Sequence, residues 1–150
     1  MKTGAILFLL FLLEPLFPEA QYNIPDSIKK QIHRIDSILL VMDQSDSFSA
    51  MHELHGNSPY VGDYSGQVFS DPGNKEIFKI DIKYFAGETI FYCRNKALLK
   101  IKDTDDFYLV HDAYYSNKGI KENEPYLIQK LLELRRIFDM VLLISISNDN

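Results

Sequence analysis

The sequence is short of cysteine, of basic charge and of long apolar runs, and each shortage removes a class of protein. Cys93 is the only cysteine in 150 residues, so no internal disulfide can staple the fold and stability has to come from packing. Sixteen Lys and Arg stand against 21 Asp and Glu, a formal charge of -5. Phosphate contacts need Lys and Arg clustered on one face, so this balance argues against a nucleic-acid partner. The apolar run from Ala5 to Leu13 is too short for a transmembrane helix, which takes about 20 apolar residues. Asn57-Ser58-Pro59 lacks the third-place hydroxyl of a glycosylation acceptor. Also missing is any constellation of side chains that by itself fixes a reaction.

What is present begins with a recognisable leader. Lys2, the Ala5 to Leu13 run, Glu14-Pro15 and a tail ending at Ala20 have the layout of an export signal. The expected organisation is a signal peptide over residues 1–20 and a single α+β domain over residues 21–150. Such a chain would be destined for the periplasm or the extracellular medium, with membrane attachment only through an uncleaved signal. No cysteine lies near Ala20 to carry a lipid. A hydrophobic fraction of 46%, with 13% aromatics, supplies one packed core of ordinary size.

Periodicity then divides the chain. Ile28, Ile32, Ile35, Leu39 and Met42 recur at spacings of four and three, which predicts an amphipathic helix capped by Asp26 or Ser27. From Gln44 to Pro72 the pattern breaks into Ser, Asp, Gly, Asn and Pro. This predicts a loop, with a helical turn around Ser49 to His55 and an edge strand at Gly66 to Ser70. Long irregular loops in compact domains are often functional. In Glu76 to Phe85 the apolar Phe78, Ile80, Ile82 and Tyr84 alternate with Lys79, Asp81 and Lys83, so one face of a strand is core and the other wet. Further strands follow at Glu88 to Arg94, at Ala97 to Lys102 with Ala97, Leu99 and Ile101 inward, and at Phe107 to Tyr115. Leu127, Leu131, Leu134, Phe138 and Val141 mark a second helix ending near Leu142, and residues 143–147 suit either a helix or a last short strand. The fold expected is α+β in two layers: an N-terminal helix, an antiparallel meander of four to five strands, and a C-terminal helix.

Candidate chemistry is sparse. His52-Glu53-Leu54-His55 resembles a zinc-protease helix motif, but its histidines are three apart rather than four, and no third ligand follows at a recognisable distance. His52, Glu53 and His55 are therefore metal candidates set against plain solvated histidines. Cys93 with His111 would make a nucleophile and base, against the simpler reading of a buried inert thiol and an inward strand histidine on the row of Phe107, Leu109 and Ala113. Asp103-Thr104-Asp105-Asp106 has the carboxylate density of a calcium loop without its glycine or distal glutamate, so it reads as a hairpin tip. No catalytic residue and no cofactor is expected. Nine tyrosines and ten phenylalanines leave room for an aromatic face that meets a protein or small ligand, core packing being the alternative.

Ile35-Asp36-Ser37-Ile38, the run Phe91-Tyr92-Cys93-Arg94-Asn95-Lys96-Ala97-Leu98 and Tyr114-Tyr115-Ser116-Asn117-Lys118-Gly119 together resemble a loose group of uncharacterised exported bacterial α+β proteins. The resemblance implies an N-terminal helix leading into an antiparallel meander with aromatic-flanked turns, and implies no activity. The functional expectation is an exported, non-enzymatic binding or envelope-associated domain. Two alternatives stand beside it: a hydrolase or metal-dependent enzyme with a site in residues 44–72 around His52, Glu53, His55 and Asp63, and a small-ligand carrier using the concave face of the sheet.

Overall fold

The computed structural model describes residues 24–44, 49–73, 75–116 and 125–147. The leader expected over residues 1–20 lies outside the described residues, as does most of the polar stretch before the second helix. Helix α1 (Asp26–Asp43) precedes strands β1 (Ser49–Ser58), β2 (Gly62–Ser70), β3 (Ile77–Tyr84), β4 (Gly87–Arg94), β5 (Ala97–Lys102), β6 (Asp106–Val110) and β7 (Ala113–Ser116), and helix α2 (Pro125–Ser147) closes the order. The seven strands form one antiparallel sheet in sequence order. The class is α+β, with seven strands among the described residues where four or five were expected. Neither helix among the described residues is long and apolar enough to cross a membrane.

Strand alternation sends neighbouring residues to opposite faces, and the two helices use both. Phe91 and Cys93 join Val68, Ile80, Ile82, Leu98, Ile101 and Phe107 in a cluster with Leu131, Leu134, Ile137, Phe138 and Val141 of α2. Ile90 and Tyr92 belong with Tyr108, Val110 and the α1 residues Ile28, Ile35 and Leu39. The layers are therefore helix, sheet, helix, with the central strands buried on both sides. That is why Ile90-Phe91-Tyr92-Cys93 is a continuous apolar run rather than an alternating one. Each fully buried Leu, Ile or Phe contributes about 1.5–3 kcal/mol, so both helices are held mainly by this burial.

Several local expectations are corrected. Residues 49–58 and 62–65, expected as loop with a helical turn, belong to β1 and β2, while the strand expected at Gly66 to Ser70 is the second half of β2, though not at the sheet edge. As an outermost strand, β1 (Ser-Ala-Met-His-Glu-Leu-His-Gly-Asn-Ser) packs Leu54 against the core, and its scattered apolar residues do not alternate regularly enough to announce a strand. Gly66, opposite Ile82, is required by close approach: a Cβ there would sit 1.9 Å from the Asp81 carbonyl oxygen. The strand expected over Phe107 to Tyr115 is broken by a two-residue turn at His111-Asp112, both at positive φ (50° and 61°). The same left-handed turn recurs at Asn95-Lys96 (50° and 64°). Asn, Asp and His tolerate this region and match the twist of a tight hairpin. In β5 a bulge opposite Tyr92 and Cys93 turns Leu98 and Ile101 into one core while Leu99 leans on the other, replacing the expected row of Ala97, Leu99 and Ile101. Helix α1 starts one residue early, with Pro25 at the cap, so neither Asp26 nor Ser27 caps it. The Pro25 carbonyl accepts from the Ile28 and Lys29 amides. Residues 143–147 continue α2 as helix.

Candidate functional site

Two polar clusters fasten the helices. On the α2 face, Asp103 Oδ1 accepts from Tyr84 Oη at 2.6 Å and Thr89 Oγ1 at 2.8 Å, while Oδ2 meets Lys130 Nζ at 2.5 Å. Burial opposes the charge on Asp103, but these donors and the Thr104 amide outweigh it, and its carboxyl ionises below the usual range. Lys130 is likewise opposed by burial and held above its usual value by Asp103. On the α1 face, Asp36 accepts from Tyr108 Oη at 2.9 Å and from Lys100 Nζ at 3.1 Å, and Lys100 also meets Asp106 at 2.9 Å. Burial works against the Lys100 charge, and the hydrogen bonds it makes with Asp106, Tyr108 and Asp36 overcome it and raise its pKa. Every charged group in these clusters has a partner, so their work is to register helix on sheet.

A further polar surface with shape lies where α1 does not reach. Registry along β1, β2 and β3 aligns His55, Ser65 and Lys83 in one cross-strand row and Glu53, Gln67 and Asp81 in the next. These six side chains, with Gly66 as floor, line a groove of about 300 Å³. Successive rows on one strand face lie about 7 Å apart. One row supplies the cation Lys83 and the imidazole His55, the other the carboxylates Glu53 and Asp81. Asp81 Oδ1 is buried and has no hydrogen-bond partner among the described residues. A buried carboxylate oxygen without a partner is costly, and a donor brought into the groove would relieve it.

The sequence candidates are placed as follows. Glu53 and His55 share the groove face, whereas His52, between them and the chain start, points to the opposite face of β1 by strand alternation. Asp63 stands one row beyond Ser65, where Asn57 Nδ2 donates to its Oδ1 at 2.7 Å. Among the described residues, no three His, Cys, Asp or Glu side chains converge on a cation-sized site. Cys93 is buried in the core with its thiol on the Ile77 carbonyl at 3.2 Å, and burial, with Glu76 nearby, pushes its pKa up to about 12. His111 is in an exposed turn on the α1 side, its Nε2 3.0 Å from Gln31 Nε2, so it forms no pair with Cys93 and takes no inward place. Asp103, read as part of a polar hairpin tip, is an interior anchor.

No protein family, curated protein or solved structure matches this chain.

Of the groove residues, Asp81 and Lys83 were legible from the sequence as the wet side of an alternating strand. Ser65 and Gln67 were not, because nothing in Gly62 to Ser70 shows which strand it will pair with. Most of the aromatics among the described residues turn inward, among them Phe91, Phe107 and Phe138 on the α2 side and Tyr92 and Tyr108 beneath α1. Phe85, at the β3–β4 turn, is wholly exposed.

Proposed function

We propose that this chain is an exported, non-enzymatic binding domain whose ligand-facing surface is the polar groove of β1 to β3. The observation that carries this reading is the unpartnered, buried Asp81 Oδ1 at the wall of a groove that pairs two carboxylates with a lysine and a histidine. A ligand with a positive donor at one end and an acceptor about 7 Å away would satisfy Asp81 and Glu53 on one row and Lys83 and His55 on the other. Zwitterionic short peptides, whose ammonium and carboxylate are separated by at least one peptide unit, have that chemistry, whereas a free amino acid is too short to reach both rows. The Lys2 to Ala20 leader pattern supports action outside the cytoplasm, in the periplasm or beyond.

Calorimetric titration with a panel of amino acids, dipeptides and neutral sugars tests this. Saturable binding of a zwitterionic peptide is expected, weakened by Asp81→Asn and by Lys83→Met with the fold retained. Absence of binding across the panel, or binding indifferent to both substitutions, overturns it.

A further inference from the structure

The sheet has two edges, and they are treated differently. β7 is four residues long, short enough to offer little template for pairing. β1 runs for ten residues, Ser49 to Ser58, with no lysine and no proline, and among the described residues it pairs with β2 alone. Its one irregularity, between Ala50 and His52, is near its start, so His52 to Gly56 is a regular stretch. Long regular edges without charge blocks are usually covered or paired.

The side chains along β1 discriminate among the ways a second strand could pair with it. Glu53 and His55 are exposed on the groove face, with Leu54 between them on the α2 face. In an antiparallel pairing of two copies about a two-fold axis at Leu54, Glu53 stands directly opposite His55 of the second copy. Symmetry repeats the pair, and the two Leu54 side chains meet across the axis. A shift by one pair in either direction sets Glu53 against Glu53 or His55 against His55. A shift by a single residue would set groove-facing side chains opposite core-facing ones. Directly opposed side chains that hydrogen-bond or carry opposite charge stabilise a pairing, and like charges in the same place destabilise it; the carboxylate of Glu53 can accept from the imidazole of His55.

We propose that the partner of this edge is a second copy of the chain, joined β1 to β1 in antiparallel register about Leu54. The dimer carries one continuous sheet, and the two polar grooves flank its central seam. Glu53 and His55 belong both to this seam and to the groove wall, and association measured without added ligand reads the seam alone.

Sedimentation of the purified chain over a range of concentrations, together with cysteine trapping, tests the register. A reversible dimer is expected. His55→Glu sets two carboxylates across the seam and weakens it by about tenfold or more, Glu53→Lys weakens it by removing the acceptor opposite His55, and the two combined, which set Lys against Glu, restore it. Under oxidation Leu54→Cys cross-links two copies, because directly opposed strand residues are near disulfide range, while Asn57→Cys, displaced from its counterpart, does not. Buried Cys93 stays out of the reaction. Any of three results overturns the proposal: a monomer at every concentration, a combined variant as weak as the single ones, or equal cross-linking at positions 54 and 57.

Discussion

The pairing of Asp103 with Lys130 is the sharpest place to test how this fold is held together. Asp103 and Lys130 have side-chain exposures of 3% and 14%, so neither can exchange its partner for bulk water without moving α2. Asp103→Asn keeps the shape and retains an acceptor oxygen for Tyr84 and Thr89, but turns an amide donor toward the Lys130 ammonium. Removing one member of a buried pair costs about 3–5 kcal/mol. The slight exposure of Lys130, which lets water reach the ammonium, favours the lower end, about 3 kcal/mol. That is a large part of the about 5–15 kcal/mol by which a domain is stable. The assay is urea unfolding of the parent, Asp103→Asn, Lys130→Met and the double variant. The single substitutions should lower the midpoint without changing the slope. The double variant should be more stable than Lys130→Met and Asp103→Asn effects added, because the second change removes the charge the first left unpaired. Strict additivity of the two losses would refute the view that this pair pins α2 to the sheet.

Other outcomes follow from the same geometry. Because the folded Asp103 carboxyl ionises below its usual value, its contribution is fully present above the unfolded pKa of about 3.9 and is lost as pH falls through the lower folded value. Asp103→Asn should therefore flatten the acid limb of a stability-against-pH curve, and an unchanged limb would count against the assignment. Lys130 has a raised pKa, so its share is present below about pH 10.4 and is lost as pH rises through the folded value. Lys96 occupies a left-handed turn position at φ 64°. Lys96→Gly should stabilise by about 0.5–1 kcal/mol, and thermal unfolding reads the gain. The Cys93 thiol, buried with a pKa pushed up to about 12, should resist alkylation at mildly alkaline pH until the chain is unfolded. Labelling of the native protein at the rate of a free thiol would contradict its placement.

Legibility followed the strength of the local pattern. The stripe from Ile28 to Met42 and the alternation from Phe78 to Tyr84 each bury one face against a large neighbour, so α1 and β3 are close to where periodicity puts them. β1 sits at the sheet edge with little apolar surface to bury, and its Gly, Ser and Asn are the residues that turns also use. Its strand character comes from hydrogen bonds to β2, which no local window contains. His111-Asp112 misled for a related reason. The apolar residues on either side continue one alternation, and only the positive φ of both residues turns a single long strand into the β6–β7 hairpin.

The sequence by itself determined the class of this protein: two amphipathic helices at either end of an antiparallel meander. Periods of two and near four are properties of neighbouring residues and need no knowledge of the rest of the chain. Only the tertiary structure decided that the helices lie on opposite faces, that Asp103 is interior, and that Glu53, His55, Ser65, Gln67, Asp81 and Lys83 share one groove. Those facts depend on which strand pairs with which and in what register, and registry is fixed by contacts between residues far apart in the chain.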